Sequence, residues 1–150
     1  MKPVVYLLCG LPYSGKTTYA KKLEQEGVVR LSLDEEVFRL FGREYSGHDE
    51  RQEEARQSLV HQLEEHLRSG TSVALDFGFW KKSDREGMQQ HIQELGGEPR
   101  LLYFKCSLDE LKKRINNDRD LAVNHEVDAP MLESFAAQFE EPSGEGEILM

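Results

Sequence analysis

The stretch Gly10-Leu11-Pro12-Tyr13-Ser14-Gly15-Lys16-Thr17 matches G-x-x-x-x-G-K-[ST], the pattern of a phosphate-binding loop, or P-loop. An apolar run, Val4-Val5-Tyr6-Leu7-Leu8-Cys9, enters it as a buried strand would, and a helix-like stretch from Thr18 to Glu26 leaves it. A strand before the loop and a helix after it are the context that the motif requires. The alternative is an ordinary glycine turn between a strand and a helix, with an exposed lysine.

The residue types in this loop suit the binding of a nucleotide's phosphates. Gly10 and Gly15 let the backbone fold around an anion, so that successive N–H groups point inward, and the following helix adds the positive end of its dipole. Lys16 can reach the β- and γ-phosphates, and the Thr17 hydroxyl can bind Mg²⁺. The predicted nucleotide-binding residues are Gly10, Leu11, Pro12, Tyr13, Ser14, Gly15, Lys16, Thr17 and Thr18.

The length and charge of the chain limit what it can be. Its 150 residues predict one domain over 1–150, with a core that needs no disulfide or structural metal. Charged residues make up 31%, and the formal net charge is −9. Such a surface argues against general affinity for nucleic acid or an anionic membrane, although it is compatible with a local basic groove. Neither a secretory signal nor a run long enough to span a bilayer is evident, so we expect a cytoplasmic location.

Short apolar runs alternate with amphipathic stretches along the chain. The predicted strands are Val4–Cys9, Val28–Leu33, Ser72–Phe77 and Arg100–Cys106, with Ile148–Met150 as a candidate fifth. Periodicity predicts helices over Asp49–Arg68 and Pro130–Glu140, and two capping boxes, Ser83-Asp84-Arg85-Glu86 and Ser107-Leu108-Asp109-Glu110, predict two more. Nearly continuous apolar strands that alternate with helices indicate an α/β fold around a parallel sheet.

Two aspartates come where predicted strands end, at the edge of the sheet where ligands of such folds bind. Asp34 follows the second strand, where a carboxylate can accept a proton from an acceptor hydroxyl or hold Mg²⁺ through water. It could instead serve only as the N-cap of a helix. Asp76 ends Val73-Ala74-Leu75-Asp76, a form typical of a strand that delivers an aspartate to the Mg²⁺ shell. The next residue, Phe77, is not the water-activating carboxylate of motor-type ATPases.

An aromatic cluster, Phe77, Phe79 and Trp80, lies at the mouth of this third strand. It could line a pocket for the acceptor, or it could close the edge of the sheet as a hydrophobic plug. The residue types leave both interpretations open.

A cationic helix end predicts a lid over about residues 114–128. Arg114 and Arg119 lie in Lys112-Lys113-Arg114-Ile115-Asn116-Asn117-Asp118-Arg119, and a polar stretch without helical periodicity continues to Asp128. Arginines on such a lid could close over the phosphates and stabilise the charge of phosphoryl transfer. The plainer alternative is the solvated face of a helix.

These motifs together resemble the P-loop kinase superfamily, in particular the AAA-like predicted kinases. Relatives include the 5′-kinase domain of phage polynucleotide kinase, chloramphenicol phosphotransferase and zeta toxin. Besides the P-loop, the resemblance rests on Leu31-Ser32-Leu33-Asp34, Leu75-Asp76-Phe77-Gly78-Phe79-Trp80 and Phe139-Glu140-Glu141-Pro142, and it covers nearly the whole chain. It implies a three-layer fold with about five parallel strands in nucleotide-kinase order, helices on both faces and a small helical lid. It also implies Asp34 as general base, Arg114 and Arg119 as lid arginines, and ATP as donor.

The leading hypothesis is therefore an ATP- and Mg²⁺-dependent kinase, with Lys16 as a catalytic residue and a small-molecule hydroxyl as acceptor. A 5′-hydroxyl polynucleotide or nucleoside kinase is the runner-up. The phage kinase has an arginine three residues after its base, whereas this chain has Val37 there and Arg39 two positions later. A nucleotide-binding switch or scaffold without turnover is the third class; a GTPase is disfavoured because no Asn-Lys-x-Asp run occurs. The motifs leave open the acceptor, the preference between ATP and GTP, and the oligomeric state.

Overall fold

Strands and helices alternate along the chain in the computed structural model, which describes residues 2–42, 49–117 and 129–150. The strands are β1 (Val4–Cys9), β2 (Val29–Ser32), β3 (Val73–Gly78), β4 (Glu98–Tyr103) and β5 (Ile148–Leu149). The helices are α1 (Lys16–Gln25), α2 (Leu33–Phe41), α3 (Asp49–Arg68), α4 (Lys82–Glu94), α5 (Leu108–Asn117) and α6 (Ala129–Gln138). Within the described ranges, no helix is long and apolar enough to span a membrane.

The strands form one sheet of five, in the order β2-β3-β1-β4-β5, and every neighbouring pair is parallel. β1 lies at the centre, with Leu7 paired to Leu75 of β3 on one side and to Leu101 of β4 on the other. The predicted α/β fold with a five-stranded parallel sheet is confirmed. Of the lid expected over residues 114–128, residues 118–128 lie outside the part of the chain that the structure describes.

Successive residues of a strand point to opposite faces of the sheet, and here each face is covered by different helices. The buried cluster that joins one face to α1 consists of Leu8, Ala20, Leu23, Ala74, Leu102 and Phe104. The larger cluster that joins the other face to α2, α3 and α4 includes Leu7, Val37, Leu63, Leu75, Ile92 and Leu101. The result is the expected arrangement of three layers, with the carboxyl ends of the strands along one edge.

Several predicted boundaries shift slightly in the structure, and two of these shifts occur next to the P-loop and its neighbouring turn. β4 was expected over Arg100–Cys106, but it ends at Tyr103; Phe104 donates its N–H to Cys9 O at 2.8 Å and lies beside Gly10 of the P-loop. The capping box at Ser83 does not form. α4 begins at Lys82 without a side-chain bond from its N-cap residue, and Glu140 instead accepts the Lys82 N–H at 3.2 Å.

The start of α2 shows whether Asp34 is the N-cap of that helix. The N-cap residue is Ser32, whose hydroxyl accepts the N–H of Glu35 at 3.3 Å. Asp34 lies in the first turn of the helix, where a carboxylate interacts favourably with the helix dipole. The interpretation of Asp34 as the N-cap is therefore wrong, and a capping duty does not explain an aspartate at this position.

A buried carboxylate holds α2 against α3. Glu36 is 6% exposed, and Arg39 donates to both of its oxygens at 2.8 Å. Ser58 and Gln62 of α3 donate to the same carboxylate at 2.6 and 3.2 Å. The hydrogen bonds from Arg39 are the chief reason that the pKa of Glu36 is held below its ordinary value of 4.5.

The substitution Glu36→Gln should destabilise the protein by about 1–3 kcal/mol near neutral pH, because it removes several charge-assisted hydrogen bonds. A carboxyl whose pKa is depressed by folding stabilises the protein above its unfolded pKa, and this contribution is lost as pH falls through the folded pKa. The difference between wild type and variant should therefore shrink below pH 4.5. Urea denaturation at several pH values measures it.

Glu86→Gln serves as the control, because Glu86 forms only an exposed pair with Lys82 on α4. It should change stability by less than about 0.5 kcal/mol. Equal effects of the two variants would contradict the role assigned to Glu36.

Candidate active site

The P-loop connects β1 to α1 in a shape that depends on its glycines. Gly15 has φ 104 and Tyr13 has φ 68, so the loop passes twice through the left-handed region. A Cβ atom on Gly10 would lie 2.7 Å from Ser14 Oγ and 3.1 Å from Phe104 O. The first glycine is therefore required by close packing, and the second by backbone conformation.

Lys16 is folded back over its own loop. Its side chain is 9% exposed, and Nζ donates to Leu11 O at 2.8 Å. Burial lowers the pKa of Lys16, while the negative charges of Asp76 and Asp34 oppose that change. An ammonium group held in this way can transfer its hydrogen bonds to phosphate oxygens without leaving the loop.

Thr17 and Asp76 are brought together from α1 and β3. Thr17 Oγ1 donates to Asp76 Oδ2 at 2.7 Å, and Asp76 is 9% exposed. This bond uses the threonine proton and leaves the oxygen lone pairs for another ligand. One hydroxyl and one carboxylate are a donor set that fits Mg²⁺, which binds few protein oxygens and keeps several waters.

Further unfilled hydrogen-bonding capacity lies inside the loop. Among the described residues, Ser14 Oγ is buried without a hydrogen-bond partner. The N–H groups in the first turn of α1 lack acceptors within the helix, as at every helix start, and carry its positive dipole end. An anion in the loop would satisfy these donors, so the residues present fit a nucleotide's phosphates.

Asp34 lies near this centre on the neighbouring strand end. It is exposed in the first turn of α2, immediately after β2, and its charge acts on Lys16. Since β2 is next to β3 in the sheet, Asp34, just after β2, and Asp76, near the carboxyl end of β3, lie on the same edge. The predicted base and the predicted metal ligand therefore belong to one site.

Arg114 reaches the same loop from α5. Its Nη1 donates to Tyr13 O at 2.7 Å, and its Nε lies 3.4 Å from a carboxylate oxygen of Glu110. This contact brings a cation to the tip of the P-loop, and the role of Arg114 over the phosphates stays a prediction. Arg119, the second predicted lid arginine, lies outside the described residues.

The aromatic cluster after Asp76 is mostly structural. Phe79 is 3% exposed and stacks on Phe77, with ring centroids 5.4 Å apart. Trp80 packs on Phe135 of α6 at 4.9 Å, and its indole N–H donates to Gly10 O at 3.3 Å. These contacts favour the plug over an acceptor pocket for Phe79, and they attach Trp80 to the P-loop itself.

Sequence reasoning missed the residues that support the loop from below, namely Phe104, Arg85 and Glu145. Arg85 is fully buried, donates to Phe79 O and pairs with Glu145. The sequence carries no signal for this pair, because Arg85 lies in a polar helix start and Glu145 in a glycine-rich loop. Only the fold brings them together.

Comparisons with known proteins show the family and the fold of the chain. The family described as AAA domain matches residues 5–142 of the chain. No curated protein matches it.

Solved structures share the fold at low sequence identity. A protein from Chloroflexus aurantiacus j-10-fl, provisionally named a kinase, has a TM-score of 0.75 and 24% identity, covering 99% of this chain and 88% of its own. A gluconokinase from Sinorhizobium meliloti 1021 has a TM-score of 0.68 and 18% identity, with 99% and 82% covered. A chain of the Pnkp1/Rnl/Hen1 RNA repair complex has a TM-score of 0.71 and 19% identity. That match covers 91% of this chain but only 43% of the other.

Lys16→Ala should weaken the binding of a fluorescent ATP analogue by at least about tenfold, since it removes a charged donor to the phosphates. Lys22→Ala is the control, because Lys22 is an exposed lysine on the same helix. Titration of both variants with the analogue measures the difference. Wild-type affinity in Lys16→Ala would refute the assignment of this loop as a phosphate site.

Gly10→Ala should also weaken nucleotide binding, because the added methyl group must displace Ser14 Oγ and press on Phe104 O. Gly87→Ala is a matched control, since a Cβ there meets nothing within 4 Å and Gly87 lies inside α4. An alanine inside a helix should raise stability by up to about 1 kcal/mol. The same titration, with thermal unfolding of both variants, distinguishes a local effect on the loop from a general loss of fold.

Proposed function

The chain belongs to the AAA domain family, and we propose that it is an ATP- and Mg²⁺-dependent phosphotransferase. It moves the γ-phosphate of ATP to a hydroxyl of a small molecule. A kinase-like P-loop fold supports nucleotide binding. The observation that carries the proposal is the meeting of Lys16, the Thr17–Asp76 pair and Arg114 at one loop, within electrostatic reach of Asp34.

In this proposal, catalysis consists mainly of positioning and charge neutralisation. The loop amides, Ser14 Oγ and Lys16 bind the phosphates. Thr17 and Asp76 would hold Mg²⁺, which when bound neutralises charge on the phosphates. Arg114, already at the loop tip, donates to the transferring group, and residues near it would form the lid together with Arg119.

Asp34 accepts the proton of the attacking hydroxyl in this mechanism. Its exposure in the first turn of α2 leaves it accessible to an acceptor, and its charge acts on Lys16 of the P-loop. An ionised carboxylate beside the P-loop is what a general base for an alcohol requires.

Charge near Asp34 favours a small neutral acceptor over a polynucleotide. Arg30 forms a two-pronged pair with Glu35, and Arg39 forms one with the buried Glu36. Both arginines are therefore occupied by acidic neighbours rather than presented to nucleic-acid phosphates. The net charge of −9 and Val37 at the position of the phage arginine support the same choice.

A 5′-hydroxyl nucleic-acid kinase is the second candidate, favoured by the fold shared with a chain of the RNA repair complex over 91% of this chain. It predicts that oligonucleotide binding weakens steeply with salt. Transfer from γ-labelled ATP to a panel of sugars, nucleosides, aminoglycosides, other alcohols and a 5′-hydroxyl oligonucleotide distinguishes the candidates. Label on a small alcohol supports our proposal, whereas label on the oligonucleotide alone supports the second. Tight ATP binding without any labelled product would favour a non-catalytic nucleotide-binding role.

Asp34→Asn should retain ATP affinity and reduce phosphoryl transfer by about 10²–10⁴-fold, the usual contribution of a general base. Glu35→Gln is the control, because it removes the adjacent carboxylate of α2, which pairs with Arg30. Rates with the acceptor found in the panel measure both. Near wild-type transfer by Asp34→Asn would exclude Asp34 as the base and leave the phosphate site intact.

A further inference from the structure

The turn that follows β3 holds the first glycine of the P-loop from both sides. Gly10 donates its N–H to Gly78 O at 3.0 Å, and Trp80 Nε1 donates to Gly10 O at 3.3 Å. Within this turn Gly78 has φ 85 and Phe79 has φ 50. A left-handed conformation is unfavourable for phenylalanine and persists only where surrounding contacts hold it.

Those contacts converge on the carbonyl of Phe79. Arg85 Nη1 donates to Phe79 O at 2.8 Å, and the Cys9 thiol, one residue before Gly10, donates to the same oxygen at 3.4 Å. Arg85 is fully buried. Its guanidinium therefore fixes the turn on which the loop rests.

Glu145 in turn fixes the guanidinium of Arg85. Its two carboxylate oxygens accept Nε at 2.8 Å and Nη2 at 3.0 Å, and the Glu145 side chain is 6% exposed. Arg85 therefore directs three nitrogens of a rigid planar fork to three oxygens, two of Glu145 and one of Phe79. Removing one partner of such a buried pair leaves an uncompensated charge in the interior, which is strongly unfavourable. The position of the Arg85 guanidinium therefore depends on Glu145.

The segment that carries Glu145 is tied to the turn a second time. Glu140 donates its N–H to Trp80 O at 2.8 Å, while its side chain accepts the N–H of Lys82 at 3.2 Å. Residues 140–145 therefore contact the turn at two places, through Glu140 and through Glu145. They immediately precede β5, which pairs with β4 at the edge of the sheet. A continuous series of contacts runs from the edge of the sheet to Gly10.

We propose that Arg85 and Glu145 are positioning residues that hold the P-loop in its anion-binding shape, so that nucleotide affinity depends on a segment far from the loop in sequence. Because both side chains are buried, the pair acts through the turn, namely through Phe79, Trp80 and Gly10. This role rests on the proposed function only in requiring that the loop bind a nucleotide.

The first test is Glu145→Gln, assayed by titration with mant-ATP in the presence of MgCl₂. We expect binding about tenfold weaker, a size common for coupling between separate positions. Glu36→Gln is the matched control, because it also breaks a buried, multiply bonded carboxylate, but one that joins α2 to α3. The control should bind within about twofold of wild type, as mutations without shared contacts act independently. Equal losses in both variants would overturn the proposal.

Arg85→Met and the double variant Arg85→Met/Glu145→Gln test whether both residues act through one route. The double variant should bind mant-ATP no more weakly than Arg85→Met alone, because residues of one network are not additive. Losses that multiply, as they do for independent sites, would contradict the proposal.

Hydrogen exchange of the wild-type protein decides the case even if Glu145→Gln fails to fold. Binding of MgADP should slow amide exchange at 79–85 and 143–150 as well as at 10–17, because coupling between sites is reciprocal. Exchange at 65–71, the end of α3 and the turn after it, should not change. Protection confined to 10–17 would overturn the proposal.

The affinity for mant-ATP and the hydrogen-exchange pattern can both be measured without phosphoryl transfer. If the kinase assay fails, these two measurements still test the positioning role. If wild type binds no mant-ATP, the nucleotide site and the positioning role fail together.

Discussion

The hydrogen bond from Gly10 N–H to Gly78 O joins the ends of the two central strands, and the candidate site depends on it. β1 and β3 pair in register through Leu7 and Leu75, but the register shifts before Cys9 meets Gly78. At this irregularity both strands end, and the N–H of Gly10 is accepted by Gly78 O of the turn after β3. Asp76 lies two residues before that turn, which brings the carboxylate beside the first residues of α1.

Buried charge concentrates around this junction. Among the described residues, the buried charged side chains are Lys16, Glu36, Asp76 and Arg85. Each has a partner of matching chemistry, because an unpaired charge in the interior is very unfavourable. Lys16 and Asp76 face the phosphate site, Arg85 fixes the turn beside it, and Glu36 joins α2 to α3. Lys16, Asp76 and Arg85 therefore lie at or next to the candidate site, at the carboxyl edge of the sheet.

Short sequence motifs predicted local structure correctly except where a contact from a distant residue changed it. The P-loop was recognisable because glycine, lysine and threonine must follow one another at fixed spacing to wrap a phosphate. Ser107 caps α5 as predicted, with its hydroxyl accepting the Glu110 N–H at 3.2 Å. The similar pattern at Ser83 does not cap α4, because the helix begins one residue earlier, at Lys82, whose N–H is accepted by Glu140, far away in sequence. A capping motif predicts a helix boundary only where no tertiary contact moves that boundary.

The sequence by itself determined the strand–loop–helix unit, the parallel α/β class and the two aspartates at strand ends, because each follows from spacing between near neighbours. Tertiary structure alone decided that Arg85 meets Glu145, that Trp80 binds Gly10 and that Arg114 reaches Tyr13. Those pairs are 60, 70 and 101 residues apart, so no local pattern encodes them. Packing of helices on both faces of the sheet brings them together, since burial forces each polar group to find whatever partner the fold places within reach.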